Sequence, residues 1–301
     1  TNLRTNDWPF LEAGPPRFAL VWLHGLGDTE RTWAGTIHRG LLPILRQYCG
    51  SCKLVTPRAP LAVVSCNRGR RMHSWFDLTE LPLSAGCRLP HFGCSLEDAE
   101  ESASSIHAVI DDLCEMGIPP EQVAVGGFSQ GGAVAMMSAL SYPARLACCI
   151  AFSGVLVPEP GQLGGFIHPS NQDLPLLWCH GEHDNTFRPS LQRVGCQALL
   201  QAGVRVVRRR YPVGHSSHPD QLEEAANFLT DNFTGTWLWE EEAVPAEPEK
   251  EDSGSGHPKD APEEVVDTEQ EPCCPMICRA LLGARNNDSV GVRGMAKQSH
   301  W

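Results

Sequence analysis

Val123-Ala124-Val125-Gly126-Gly127-Phe128-Ser129-Gln130-Gly131-Gly132 sets a short apolar strand, residues 123–125, directly before G-x-S-x-G and a small-residue helix predicted over 132–140. A strand that turns sharply into a helix at a serine is the nucleophile elbow, in which flanking glycines allow a strained turn and the hydroxyl is held exposed. With 20 serines and 28 glycines in the chain, the bare pattern arises by chance about 0.17 times per sequence of this composition, so its context carries the reading. That context extends in both directions. Upstream, apolar runs over 18–23 and 52–55 read as strands, the first ending in His24-Gly25-Leu26-Gly27-Asp28. Ser95-Leu96-Glu97-Asp98 opens an amphipathic helix with apolar residues at Leu96, Ala99, Ala103, Ile106, Ile110 and Leu113, closed by Gly117 and Pro119. Downstream, 146–152, 174–179 and 204–211 read as strands and 220–229 as a final helix. Apolar strands alternating with helices predict an α/β protein with a mostly parallel sheet covered on both faces. Its chemistry is then expected at the carboxyl ends of the strands.

A serine hydroxyl needs a histidine to take its proton, and the histidine needs a carboxylate to fix its tautomer. In chains built around this elbow the order is serine, acid, histidine. Glu159, Asp173, Glu182 and Asp184 lie in the permitted interval. The strand over 174–179 runs into His180-Gly181-Glu182-His183-Asp184, which puts Asp184 beyond a strand's carboxyl end and Asp173 at the opposite edge; Asp184 is preferred, then Glu182. For the base, His215 and His218 both follow the last strand, and Gly214 beside His215 favours the earlier one. His180 and His183 read as loop histidines, with no helical H-x-x-x-H pair to support metal binding. Two backbone N–H groups suit an oxyanion hole: Gln130, next to the nucleophile, and Leu26 in the glycine-flanked loop after the first strand. This chemistry requires neither a metal nor an organic cofactor.

The formal charge of −12 over 301 residues argues against nucleic acid as a partner, and its distribution marks out the domains. Residues 1–239 carry 22 acidic and 18 basic side chains, residues 240–271 carry 13 and 2, and residues 272–301 carry 1 and 4. The middle segment is rich in Glu, Pro, Ser and Gly and has too little apolar surface to offset the entropy of ordering. The expected organisation is a catalytic domain over 1–239, a disordered acidic linker over 240–271 and a cysteine-containing tail over 272–301, also disordered. Thirteen cysteines, two of them adjacent at Cys148 and Cys149 in an apolar run, with no secretory signal, point to reduced thiols and a cytoplasmic location. The lone C-x-x-C of Cys49 and Cys52 reads as ordinary thiols near a helix end. No apolar stretch is long enough to span a membrane.

Six motifs occur in the order seen in acyl-protein thioesterases of the phospholipase/carboxylesterase family, which the chain resembles over about residues 18–232. They are Leu23-His24-Gly25-Leu26-Gly27-Asp28-Thr29; Pro57-Arg58-Ala59-Pro60; Ser74-Trp75-Phe76-Asp77; Gly126-Gly127-Phe128-Ser129-Gln130-Gly131-Gly132; Cys179-His180-Gly181 with Asp184; and His215-Ser216. The resemblance implies an α/β-hydrolase fold without a large cap domain, a Ser129, Asp184 and His215 triad, and an oxyanion hole from Leu26 and Gln130. It implies hydrolysis of long-chain acyl thioesters on proteins, with lysophospholipids and small esters as secondary substrates. The triad serves oxygen esters equally well, so only the resemblance selects thioesters. A carboxylesterase or lysophospholipase is the alternative, and a non-catalytic acyl-binding scaffold is the alternative outside enzymes.

Trp75 and Phe76 read either as lining the acyl site or as aromatic scaffold core. Glu30-Arg31-Thr32 departs from the glycine-containing family pattern, and Arg68-Gly69-Arg70-Arg71 places three cations before Ser74; both stretches would alter the rim of the acyl groove, unless the arginines simply form a solvated loop. Outside the resemblance, acylation of Cys273 or Cys274 in the basic tail would tether the protein reversibly to a membrane near lipidated substrates.

Overall fold

In a computed structural model of the chain, residues 15–238 are described. The proposed linker over 240–271, the tail over 272–301 and its Cys273 and Cys274 lie outside the described residues. The elements run β1 (Phe18–Leu23), α1 (Glu30–Gly40), α2 (Leu42–Cys49), β2 (Cys52–Val55), β3 (Leu61–Val64), β4 (Arg70–His73), α3 (Leu96–Glu115), β5 (Val123–Phe128), α4 (Gln130–Ser141), β6 (Cys148–Phe152), α5 (Leu163–Phe166), β7 (Pro175–Gly181), α6 (Pro189–Gln201), β8 (Arg205–Tyr211) and α7 (Pro219–Thr234). Six strands form one sheet in the order β2-β1-β5-β6-β7-β8, and every pairing in it is parallel. This is the α/β-hydrolase architecture, with helices on both faces.

The two faces follow from the period-2 alternation of buried strands. In β1, Ala19, Val21 and Leu23 join an apolar cluster that includes Ile106 and Ile110 of α3, Val134 of α4 and Leu199 of α6. Phe18 points the other way onto Phe233 of α7, and Trp22 onto Trp33 of α1. Helix α3 begins where Ser95 accepts a hydrogen bond from the Asp98 N–H, with Glu97 and Asp98 in its first turn to complement the dipole.

The structure adds elements that periodicity did not reveal: α1, α2, α5, α6 and a separate antiparallel hairpin pairing β3 with β4. The hairpin corrects the reading of the arginines: Arg70 and Arg71 lie in β4, not in a loop, and Arg68 and Gly69 form the turn, with φ of 56° and 73°. From β4 to α3 the chain crosses the carboxyl end of the sheet as a long strap. The strap is pinned in its own course by a bridge between Leu78 and Cys94, and to the segment after β7 by one between Leu83 and Phe187. At the second point the Leu83 N–H donates to Thr186 O at 2.8 Å and the Arg188 N–H to Leu83 O at 2.9 Å. None of the cysteines among the described residues is in a disulfide. None of the described helices is long and apolar enough to cross a membrane.

Candidate active site

Strand β5 runs three residues past its predicted end and stops at Phe128, so that Ser129 is the single residue between strand and helix. Ser129 has φ 56° and ψ −120°, a conformation that L residues rarely adopt and that costs on the order of 1–3 kcal/mol. The turn closes only because its neighbours lack side chains. A Cβ on Gly127 would lie 2.5 Å from the Gly131 carbonyl carbon, and one on Gly131 would lie 2.5 Å from His24 O. The Ser129 N–H continues the sheet ladder to Phe152 O at 2.8 Å, which locks the strained residue onto β6.

Asp184 and His215 arrive from the ends of β7 and β8. His215 Nε2 lies 2.7 Å from Ser129 Oγ, and its Nδ1 lies 2.7 Å from Asp184 Oδ2. The serine hydroxyl therefore donates to Nε2, and Nδ1–H donates to the carboxylate. The imidazole is held between the rings of Phe128 and Phe187, at centroid distances of 5.0 and 5.3 Å. Asp184 is 1% exposed, and four donors meet its two oxygens. Oδ1 accepts from the Thr186 and Phe187 N–H groups at 2.8 and 2.9 Å, and Oδ2 accepts from His215 and lies 3.3 Å from His180 Nε2. Burial by itself would raise the Asp184 pKa; the hydrogen bonds from His180 and His215 outweigh it and hold the carboxyl well below the usual carboxylate range. The acid is thus ionised wherever the histidine can act.

His180 was read from sequence as a loop histidine. It is instead the penultimate residue of β7, fully buried, with Nε2 2.8 Å from Phe187 O as well as near Asp184. Its i, i+4 spacing to Asp184 was visible in the sequence, but the turn that folds the carboxylate back over it was not.

The alternatives separate cleanly. Glu182 is exposed. Asp173 pairs with Arg145 and Arg205 before β7, and the Glu159 carboxylate takes part in a local capping box. The His218 side chain accepts from the Asp220 N–H at 3.2 Å and caps α7.

The expected oxyanion donors belong to the elbow and to the loop after β1, which meet where a Cβ on Gly25 would lie 3.4 Å from Ser129 Cβ. Gln130 is the first residue of α4, where the N–H has no intrahelical acceptor. Leu26 lies in the loop after β1, and its N–H enters no turn or loop hydrogen bond among the described backbone groups. His24 anchors that loop: its Nδ1–H donates to Gly25 O at 2.8 Å, and its Nε2 accepts from the Ala59 N–H at 3.1 Å. Burial lowers the His24 pKa, against the raising effect of the Gly25 bond, and so keeps Nε2 free to accept. The departure at Glu30 reaches the same region, because buried Glu30 pairs with both Nε and Nη2 of Arg58, next to Ala59.

The structure buries Trp75 and Phe76 in the core, the second of the two readings their sequence allows. Each is 2% exposed and belongs to the main apolar cluster. They also wall a cavity of about 180 Å³ beside β3, which Ser129 and His215 do not line.

The chain is similar to known proteins over most of its described length. The family model described as phospholipase/carboxylesterase matches residues 11–233. An Arabidopsis thaliana protein named "Probable carboxylesterase SOBER1-like" is 36% identical over 215 residues, which cover 71% of this chain and 78% of that protein. Acyl-protein thioesterase 1 of Gibberella zeae is 30% identical over 216 residues, covering 70% of this chain and 88% of the relative. The crystal structure of Arabidopsis thaliana SOBER1 superposes with a TM-score of 0.63 at 29% identity, covering 72% of this chain and 99% of that one.

Proposed function

The chain belongs to the phospholipase/carboxylesterase family, and from that membership we propose that it removes long-chain acyl groups, palmitoyl above all, from protein cysteines through an acyl-Ser129 intermediate. It is an α/β-hydrolase of the carboxylesterase and acyl-protein thioesterase type. The observation that carries the mechanism is the continuous relay from Ser129 Oγ through His215 to Asp184, two hydrogen bonds of 2.7 Å each.

In the first half-reaction His215 Nε2 takes the Ser129 proton as Oγ attacks the thioester carbonyl. The carbonyl oxygen becomes an anion facing the Leu26 and Gln130 N–H groups. Collapse of the tetrahedral intermediate breaks the C–S bond, and the imidazolium returns the proton to the departing cysteine sulfur. Water then repeats the sequence on the acyl-serine and releases the fatty acid, with His215 acting again as base and then acid. Asp184 does not transfer the proton; it fixes the Nδ1–H tautomer and stabilises the imidazolium.

The choice of thioester is supported by relatives named acyl-protein thioesterase. The relative named as a carboxylesterase favours a second reading, in which oxygen esters such as lysophospholipids are the better substrates. Labelling by a fluorophosphonate that disappears in Ser129→Ala is expected, and a well-folded wild-type chain that does not label would refute the enzyme. Comparison of kcat/KM on a palmitoyl-thioester peptide and its oxygen-ester counterpart decides between the two substrate classes.

A further inference from the structure

An oxyanion hole built from two backbone N–H groups works only if both donors keep their spacing, within roughly 0.5 Å of the productive geometry. Here they come from segments that are distant in sequence. Gln130 is fixed at the head of α4, whereas Leu26 lies three residues beyond the end of β1, and its own N–H enters no turn or loop hydrogen bond among the described backbone groups. The segment from His73 to Phe76 touches both.

On the Leu26 side, the Trp75 indole Nε1–H donates to His24 O at 2.8 Å, and His73 O accepts from the Gly27 N–H at 2.8 Å. The loop is thereby held on both flanks of Leu26. On the elbow side, the buried Gln130 side chain accepts from the Trp75 N–H at 2.9 Å and donates to Phe76 O at 2.6 Å and Ser74 Oγ at 3.0 Å. From α3, the Ser102 hydroxyl donates to the Trp75 carbonyl. The three polar atoms of Trp75 are thus committed to three different parts of the fold.

The other buried tryptophans among the described residues make the contrast. Trp22, Trp33 and Trp178 also sit in the core, and the indole N–H of each has no hydrogen-bond partner. Core volume alone therefore does not require a partnered N–H in this protein, and Trp75 stands apart in having one.

We infer that Trp75 is a positioning residue for the oxyanion hole, a brace that ties the Leu26 loop to the Gln130 elbow, rather than a wall of the acyl groove. The assignment rests on the hydrolase reading above. The brace acts on the donors and not on the substrate, so its loss weakens binding of the tetrahedral species and leaves ground-state binding intact.

The test compares wild type with Trp75→Phe and with benzothienylalanine at position 75, which keeps the bicyclic volume and replaces N–H by sulfur. Steady-state constants on a p-nitrophenyl ester are measured alongside inhibition by an alkyl trifluoromethyl ketone, whose serine adduct carries an oxyanion. Deleting one oxyanion donor typically lowers kcat by about 10²–10³-fold, so a displaced donor is expected to cost about 10–100-fold. Both replacements should show that fall with KM within about twofold of wild type, and the ketone inhibition constant should rise by the factor that kcat loses. The brace is overturned if folded variants keep kcat within about threefold of wild type, or if KM rises while kcat holds, which is the signature of acyl contact. It is overturned equally if the phenylalanine variant is slow and the benzothienyl variant is not, since packing alone would then explain the loss. A wild-type chain that neither turns over nor labels would remove the hydrolase reading and the brace together, whereas an active wild type with unaffected variants removes the brace alone.

Discussion

Replacing Gly181 with alanine isolates the mutual placement of acid and base without touching either. Gly181 ends β7 just before the Asp184 turn, and it packs against the loop that delivers His215. A Cβ there would stand 2.5 Å from Val213 O and closer still to Gly214 O, whereas ordinary contact begins at 3.4 Å, so the loop must yield by about 1 Å. Both neighbours are backbone atoms, and the loop cannot relax freely, because the Glu182 and His183 N–H groups donate to Tyr211 O and Val213 O at 2.8 and 3.0 Å. The displacement is passed to His215, whose hydrogen bond to Ser129 is 2.7 Å long. A misplacement of about 1 Å in a reacting constellation costs on the order of 10²-fold in rate, or about 2.7 kcal/mol of barrier. Overpacking would lower global stability by about 1–3 kcal/mol as well. The assay is ester hydrolysis below the melting transition, normalised to the fraction of molecules that label at Ser129. Gly161→Ala and Gly164→Ala serve as controls, since nothing lies within 4 Å of a Cβ at either position. The reasoning is refuted if Gly181→Ala retains kcat within about threefold while the controls behave as wild type.

Asp184→Asn keeps an oxygen for the Thr186 and Phe187 N–H groups but no longer selects the Nδ1–H tautomer of His215; kcat is expected to fall by about 10⁴-fold with KM little changed, which steady-state kinetics on a soluble ester will check. Stability should decline on mild acidification, because His24 and His107 are both held below their ordinary 6.5, chiefly by burial and against the raising effect of their carbonyl partners Gly25 and Ser138. Below about pH 6.5 the unfolded chain binds protons that the folded chain refuses, so the melting temperature should drop between pH 7.5 and 5.5, and His107→Gln should flatten that slope. Asp184 has its pKa lowered by folding, so its contribution is present in full above about pH 4 and is lost only below that; a steep fall beginning only there would contradict the assignment to histidines.

What the sequence made legible follows a physical division. The elbow, the parallel sheet and the positions of Asp184 and His215 could be read because they depend on local rules: glycines where side chains cannot fit, apolar runs, and loops at the carboxyl ends of strands. Helix α6 could not, because Gly195 interrupts its pattern; the glycine is there for packing, since a Cβ would lie 2.5 Å from the Trp178 ring. The β3–β4 hairpin was hidden because its turn puts Arg68 at a positive φ, where the usual signal is asparagine or glycine. Trp75 and Phe76 lie in the apolar core, and the hydrogen bond from the Trp75 indole to His24 O is a long-range contact that leaves no local signal in the sequence. The choice of His215 over His218 rested on the neighbouring Gly214, and the structure gives His218 a separate task as the cap of α7.

The strap that joins Leu83 to the Asp184 turn sets a limit on how this scaffold can diversify. The backbone bonds of Leu83 end on Thr186 and Arg188, and the Thr186 N–H ends on the Asp184 carboxylate, so a length change at that point would be felt at the acid. Residues 84–90 lie between the strap's anchor points and include exposed Leu89. Insertions and substitutions there leave the Leu83 anchor and the Asp184 turn in place.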